Sequence, residues 1–268
     1  MIWFIVAVFA GLSLTMAVGW AFQRHAGNGG WTDVFWTFGL GAAGMACALY
    51  PVAGEPWPTG RQVLVEVLVA VWALRLGLHI AWRAAHEGED ARYARFRQEW
   101  GARFQPMMFG FLQLQALAAM VLALPMLAAA HNPAPGLRMQ DWLGGLVLAV
   151  AIVGEGLADW QLNLFKAKPA NHGKVCDVGL WAWSRHPNYF FEWLGWLAYP
   201  LIAIDLSGHY LWGWGALAAP VYMYWLLRHV SGVPPLEEHM ARSRGAAWVE
   251  YAARTSVFFP APPHRSTP

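Results

Sequence analysis

Phe109-Gly-Phe-Leu-Gln-Leu-Gln-Ala-Leu-Ala-Ala-Met-Val-Leu-Ala-Leu-Pro-Met-Leu-Ala-Ala-Ala130 carries no ionisable side chain. A helix needs about 20 such residues to cross the hydrocarbon of a bilayer. Further apolar stretches fall at 2–22, 33–52, 62–84, 142–164, 189–205 and 210–229. The composition agrees: the 268 residues are 57% hydrophobic and 13% charged, where soluble domains carry about 25% charged residues. The pattern predicts an all-α, polytopic membrane protein of seven transmembrane helices. It forms one domain over 1–260, followed by a Pro-rich, loosely attached tail at 261–268. The first 22 residues lack a basic start and a small-residue cleavage site, so they read as a retained span.

Orientation follows from the basic residues. The regions after spans 1, 3, 5 and 7 hold 15 of the 18 Lys and Arg; the opposite connections hold Arg61 and Arg138, and Arg75 lies inside span 3. Cytoplasmic loops are the basic ones, which predicts an outside N-terminus and a cytoplasmic C-terminus. The opposite connections, 51–58 and 132–140, read as Pro- and Gly-rich turns. A net charge of +2 gives no case for nucleic acid. Cys47 and Cys176 stand in dissimilar surroundings and predict no disulfide. The ten His residues lack metal-binding spacing, and His131 and His209 read as exposed loop residues.

Polar residues inside apolar spans are functional candidates by default, and three groups stand out. Arg75, His79, Arg83 and His86 recur at helical spacing on one face of span 3. Arg83 and His86 lie near its cytoplasmic end, where long side chains snorkel to water. Arg75 lies roughly 12 Å deeper and needs an internal partner. The face reads either as a structural ion pair or as a ladder of donors for an anion, for which the Arg fork suits phosphate. Glu155, Asp159, Asn163 and Lys166 share a face at the end of span 5. Its acids suit either the span-3 cations or the hydroxyl and amino donors of a ligand, with Lys166, Lys168 and Lys174 beyond them. Trp181-Ala-Trp-Ser-Arg-His-Pro-Asn-Tyr-Phe-Phe-Glu192 sets Arg185, His186, Asn188, Tyr189 and Glu192 at the mouth of span 6. Pro187 marks the first helical turn, whose free N–H groups favour an anion. Together these side chains are expected to line one cytoplasm-facing chamber for a nucleotide. Asp33 reads as a helix N-cap or as a buried proton donor. The charged segments from Gly88 and around Glu237 read as solvated cytoplasmic helices.

Gly88-Glu-Asp-Ala-Arg-Tyr93, Gly179-Leu-Trp, Ser184-Arg-His-Pro-Asn-Tyr189, Glu192, Ser231-Gly-Val-Pro-Pro-Leu-Glu237 and Thr255-Ser-Val-Phe-Phe-Pro260 resemble the steroid 5-alpha-reductase-like family, in particular its bacterial DUF1295-type membrane reductases. The Arg-His-Pro-Asn-Tyr run is also similar to an element of isoprenylcysteine carboxyl methyltransferases. The first resemblance runs from about Trp31 to Pro260. It implies NADPH bound from the cytoplasm in a bacterial inner-membrane enzyme of lipid metabolism, an oxidoreductase that reduces the activated double bond of an apolar, steroid-like enone. On that likeness Asp159, Lys166, Lys174, Asn188 and Glu192 hold the cofactor. Arg83 and His86 contact it, Arg75 and His79 line the cavity, and Arg185 and Tyr189 are neighbours. Steroid-specific members carry a Gln-Glu pair on an early helix. This chain lacks it, and Asp33 and Glu66 are the nearest acids. Asp33 or His79 is then the group that polarises the ketone, and no metal takes part. The alternative is an S-adenosylmethionine-dependent methyltransferase, whose cofactor carries no phosphate.

Overall fold

The computed structural model describes residues 1–263. They are helical throughout, with no strand among the described residues. Four segments are long and apolar enough to cross a membrane: Ile2–Ala26, Gly60–His86, Ala91–Ala130 and Met139–Ala167. The last residues of the predicted tail, 264–268, lie outside the described part. Ala261, the first residue of the predicted tail, donates its N–H to the Trp183 carbonyl at 2.9 Å.

The chain divides into two compact units, residues 1–145 with 199–219, and residues 146–198 with 220 onward. In the first, helices α1 (Ile2–Ala26), α2 (Trp31–Ala48), α3 (Gly60–His86) and α5 (Phe104–Ala130) pack on one another, with the short α4 (Ala91–Trp100) leading into α5. Small residues on α2 permit the close approach that membrane helices rely on where water supplies no driving force. A Cβ on Gly41 would stand 2.5 Å from the Ala73 Cβ, and one on Gly44 would stand 2.2 Å from the Met126 sulfur. Gly27 ends α1 in the left-handed conformation at φ 69°, which costs Gly nothing. Thr59 starts α3 by a reciprocal cap: the Gln62 N–H donates to the Thr59 hydroxyl, and the Thr59 N–H to the Gln62 side chain.

The connection at 131–138 is more than a turn. Arg61 is 5% exposed and Asp141 0%. The Arg61 guanidinium donates to both carboxylate oxygens of Asp141 and to the carbonyls of Asn132, Ala134 and Gly136. Arg138 donates its N–H to Asp141 as well, and its guanidinium to the Ile202 carbonyl. Asn132 spans from its own loop to the carbonyls of Ile202 and Ala203. His131, expected to be exposed, is half-buried; its Nδ1 lies 2.9 Å from the Leu127 carbonyl. His209 is exposed as expected.

The later elements are shorter than seven uniform spans would require. Helix α6 (Met139–Ala167) is long, but the predicted span 6 is α7 (Pro187–Trp196) and α8 (Ala198–Ala203), interrupted at Leu197. The predicted span 7 is a 3-10 stretch at Leu211–Leu217, α9 (Ala218–Trp225) and a π-helical stretch at Leu226–Val230. Helices α10 (Val233–Arg244) and α11 (Ala246–Arg254) follow.

Removing one member of a buried ion pair strands the other charge, at about 3–5 kcal/mol. Asp141→Ala should therefore lower the melting temperature of the detergent-solubilised protein sharply, followed by circular dichroism. Joint replacement of Arg61 and Asp141 by Met and Leu should recover part of the loss. Unchanged melting of Asp141→Ala would show that the knot carries no stability.

Candidate functional site

The second unit holds the densest polar assembly, and it is built around residues 179–188. Gly179 turns the chain at φ 59° and lies so close to Gln161 that a Cβ would stand 2.5 Å from its side-chain oxygen. That oxygen accepts the Leu180 N–H at 2.9 Å. The Trp181 indole N–H donates to the Ala158 carbonyl on α6 at 2.9 Å. From the other side, the Tyr251 hydroxyl of α11 donates to the Trp181 carbonyl at 2.6 Å, and the Ser184 hydroxyl donates to Phe258 at 2.9 Å. The Arg185 N–H donates to Ser256 at 2.8 Å. Every polar backbone group named here in this strap has a partner, as burial demands, so the side chains that follow it are placed rather than free.

Two of those side chains meet one carboxylate. Arg185 Nε stands 3.0 Å from Glu237 Oε1, and His186 Nε2 stands 3.1 Å from the same oxygen. Arg185 also donates to the Ala252 carbonyl. His186 is 1% exposed, and its ring stacks on that of Tyr189 with centroids 5.4 Å apart. Burial alone would push the Glu237 carboxyl up, but the His186 hydrogen bond and the charges of Arg185 and Arg228 outweigh it and hold the carboxyl below its ordinary range. Burial likewise depresses the His186 pKa below 6.5, against the pull of Glu237 and with the repulsion of Arg185 and Arg228. A neutral imidazole beside a carboxylate carries its proton on Nε2, which leaves Nδ1 as a bare acceptor. Nδ1 is buried and has no hydrogen-bond partner among the described residues.

Around this pair stand the other predicted residues of the unit. Glu155 and Asp159 are 6% and 8% exposed on α6. Asn188 donates to Asp159 at 3.3 Å, and Glu192 accepts the Trp196 indole N–H at 2.9 Å. Asn163, Lys166, Lys168 and Lys174 are exposed, so the row that begins at Glu155 leaves the interior within two turns. The α7 terminus offers fewer free donors than its sequence promises. Pro187 has no N–H, and the Asn188 side chain already accepts the Tyr189 N–H at 3.0 Å.

The first unit holds Asp33, Arg75, His79, Arg83 and His86. Asp33 is not the N-cap of α2. Gly30 occupies that position, without a side-chain cap. One Asp33 oxygen instead accepts Arg92 at 2.7 Å, and the other accepts the Tyr93 hydroxyl at 2.6 Å. The segment from Gly88 is thus a clamp and not merely a solvated helix. Glu89 accepts the Gly29 N–H at 2.9 Å and pairs with Arg97 at 2.8 Å. Asp90 caps α4 and pairs with Arg92 at 3.0 Å. Tyr93 is 1% exposed and presses on Gly29, where a Cβ would stand 2.5 Å from its own. Arg83 is shared between Glu87 and Asp90 at 3.8 and 3.5 Å. His86 stacks on Trp82 at the exposed end of α3. Arg75 and His79 are half-buried further along the same helix, and neither lacks a partner. Both cysteines are buried free thiols. Among the described residues no cluster of His, Cys, Asp and Glu could hold a metal ion.

The family model for proteins of unknown function designated DUF1295 matches residues 19–255, nearly the whole chain. The chain belongs to the DUF1295 family. A stretch of 97 residues is 29% identical to a probable O-methyltransferase, ustE, of Ustilaginoidea virens; it covers 34% of this chain and about a third (34%) of that protein. An uncharacterized protein of Schizosaccharomyces pombe is 25% identical over 285 aligned positions, covering 93% of this chain and 78% of the other. No solved structure matches. Family membership thus agrees with the DUF1295-type resemblance seen in the motifs.

Glu237 was legible only as part of a family-like run, and the residue that organises Arg185 and His186 was missed as a site residue. Its signal is Pro234-Pro235, which opens α10 and sets Glu237 about one turn into it.

The depressed His186 pKa gives a pH dependence of definite sign. Below about pH 6.5 an unfolded His binds a proton that the folded one refuses, so stability falls as pH falls. Glu237, held low, keeps its contribution through this window and loses it only at still lower pH. Melting temperature should therefore drop between about pH 7 and about pH 5, and His186→Gln should flatten the slope. An equal slope in the variant would remove His186 from the account.

Proposed function

We propose that this DUF1295 protein is a seven-span membrane enzyme that binds a nucleotide cofactor through the polar assembly of its second unit. Its proposed reaction is the NADPH-dependent reduction of the double bond of an apolar, lipid-like enone. The N-terminus lies outside and the C-terminus in the cytoplasm, in what the resemblance makes a bacterial inner membrane. The asymmetry of basic residues supports that orientation more strongly than a count suggests. Arg61 and Arg138, the two on the opposite side, are both engaged by Asp141.

The observation that carries the cofactor reading is the polar group of the second unit, with His186, Asp159 and Glu155 buried and Arg185 and Asn188 half-buried. A purely structural Arg185–Glu237 ion pair needs neither the bare His186 acceptor nor the Asn188–Asp159 contact. A dinucleotide has matching parts: hydroxyl and amino donors for Asp159, Glu155 and His186 Nδ1, and phosphates for the cations. Tyr189 and Glu192 frame the same helix end, and Lys166 and Lys174 suit the more solvated phosphate. Bound NADPH supplies a hydride; the protein's part is orientation, exclusion of water and polarisation of the ketone oxygen as charge develops on it. Of the two groups considered for that last role, Asp33 is the poorer donor, because both its oxygens already accept hydrogen bonds from Arg92 and Tyr93. His79 of α3 is the retained candidate. Arg83 is engaged by Glu87 and Asp90.

The 97-residue likeness to a probable O-methyltransferase favours a second reading, methyl transfer from S-adenosylmethionine. The two part at the cofactor. Purified protein in detergent should be stabilised by NADPH and should carry it through native mass spectrometry. It should oxidise NADPH when given an enone lipid, and His79→Gln should slow that turnover at least tenfold. Lys174→Ala should weaken NADPH more than NADH. Stabilisation by S-adenosylmethionine alone would replace the reductase with the methyltransferase, and stabilisation by neither would remove both.

A further inference from the structure

Ser184 is fully buried, and its hydroxyl does more than close the strap. It accepts the His186 N–H at 3.1 Å and donates to the Phe258 carbonyl at 2.9 Å. The partners fix both directions. An N–H only donates and a carbonyl only accepts, so the hydroxyl proton lies toward Phe258 and a lone pair toward His186. One side chain thus ties the backbone of His186 to the segment that follows α11. The bond is not an ordinary helix cap, in which the N-cap side chain accepts an N–H of the first turn. His186 occupies the N-cap position of α7 without such a bond, and Ser184 takes the N–H of His186 itself.

The far end of the tie is held as well. Phe258 is 2% exposed, and its ring lies 6.1 Å from that of Trp193 on α7 and 5.2 Å from that of Tyr224 on α9. The connection therefore closes on itself. Helix α7 packs on Phe258, Phe258 holds Ser184, and Ser184 holds the residue from which α7 starts. The His186 ring is held separately, by Glu237 at Nε2 and by the stack on Tyr189. Its Nδ1 is left buried and without a hydrogen-bond partner among the described residues. An imidazole held at its backbone, at one nitrogen and at one face presents the other nitrogen in a single place. A loosely held one would lose affinity to its own ordering when a ligand arrives.

We infer that Ser184 is a positioning residue of the second unit's polar site: through its two hydrogen bonds, the segment 255–261 sets where His186 presents Nδ1 to a hydroxyl or amino donor of the cofactor. This rests on the cofactor reading above for the ligand, but not for the hold on His186.

Full-length protein in detergent micelles, with 15N-labelled histidine rings, is compared as wild type, Ser184→Ala, Ser184→Thr and Ser184→Cys. The His186 ring signals are those that vanish in His186→Gln. In Ser184→Ala they should move, and Ser184→Thr, which keeps the hydroxyl, should return them to the wild-type positions. Calorimetric titration with NADPH and with S-adenosylmethionine gives the second readout. Whichever cofactor wild type binds should bind Ser184→Ala on the order of tenfold more weakly, with most of the loss recovered in Ser184→Thr. A merely structural serine would change the melting temperature and leave the His186 signals where they are. Ser184→Cys keeps the buried volume with a weaker donor and acceptor; if the Ala variant does not fold, it carries the test and should show the same changes in smaller measure. A folded variant without the hydroxyl whose His186 signals do not move would overturn the hold. Moved signals with unchanged cofactor affinity would overturn its part in binding. Wild type that binds neither cofactor would sink the cofactor reading, and the His186 signals would then decide the hold by themselves.

Discussion

One oxygen of Glu237 organises the second unit. Arg185 and His186 are neighbours in sequence, yet their charge-bearing atoms both reach that oxygen. Such convergence is possible because the backbone between 179 and 186 is pinned from two directions, by Ala158 and Gln161 of α6 and by the segment Tyr251–Phe258. The carboxylate does two jobs at once. It offsets the cost of a partly buried guanidinium, and it decides which nitrogen of His186 carries the proton. The second job matters chemically, since an imidazole whose Nδ1 is bare accepts hydrogen bonds and one whose Nδ1 is protonated does not.

The first unit solves the same problem differently. Two of its polar clusters bind their charges mainly among their own members. Arg61 distributes its donors over three carbonyls and Asp141, so a buried cation costs little beyond its desolvation. Asp33 takes Arg92 and Tyr93, while Asp90 and Glu89 complete the corner that joins α3 to α4. A network with all its members partnered rigidifies a fold. The second unit leaves His186 Nδ1 buried without a partner among the described residues, and it is this acceptor, beside a carboxylate that fixes its tautomer, that the cofactor reading uses.

Much of the fold was legible because helical membrane segments advertise themselves by length and apolarity. The Thr59 start of α3 and the Pro187 start of α7 follow from local chemistry, and the small residues of α2 do pack where a larger one would collide. Breaks were not legible. Gly195 and Pro200 stand on either side of Leu197, but membrane helices tolerate both residues, so they did not mark the point where the helix stops. Partner choice was legible only where it was local. Asp33 carries the signature of a cap, and only the fold shows that Arg92 and Tyr93, some 60 positions away, take it instead. Spacing put Glu155, Asp159, Asn163 and Lys166 on one face correctly, but could not say that the last two emerge into the open. For the same reason Glu237, 51 positions from His186, stayed hidden.

Irregular helix is costly in a bilayer, because every unpaired backbone group loses water without gaining a partner. It persists where the irregularity lines a polar space or re-aims a side chain. In this chain α1, α2, α3, α5 and α6 run unbroken, whereas the interruption at Leu197 and the π-helical turn at Leu226–Val230 both flank residues of the second unit's polar assembly.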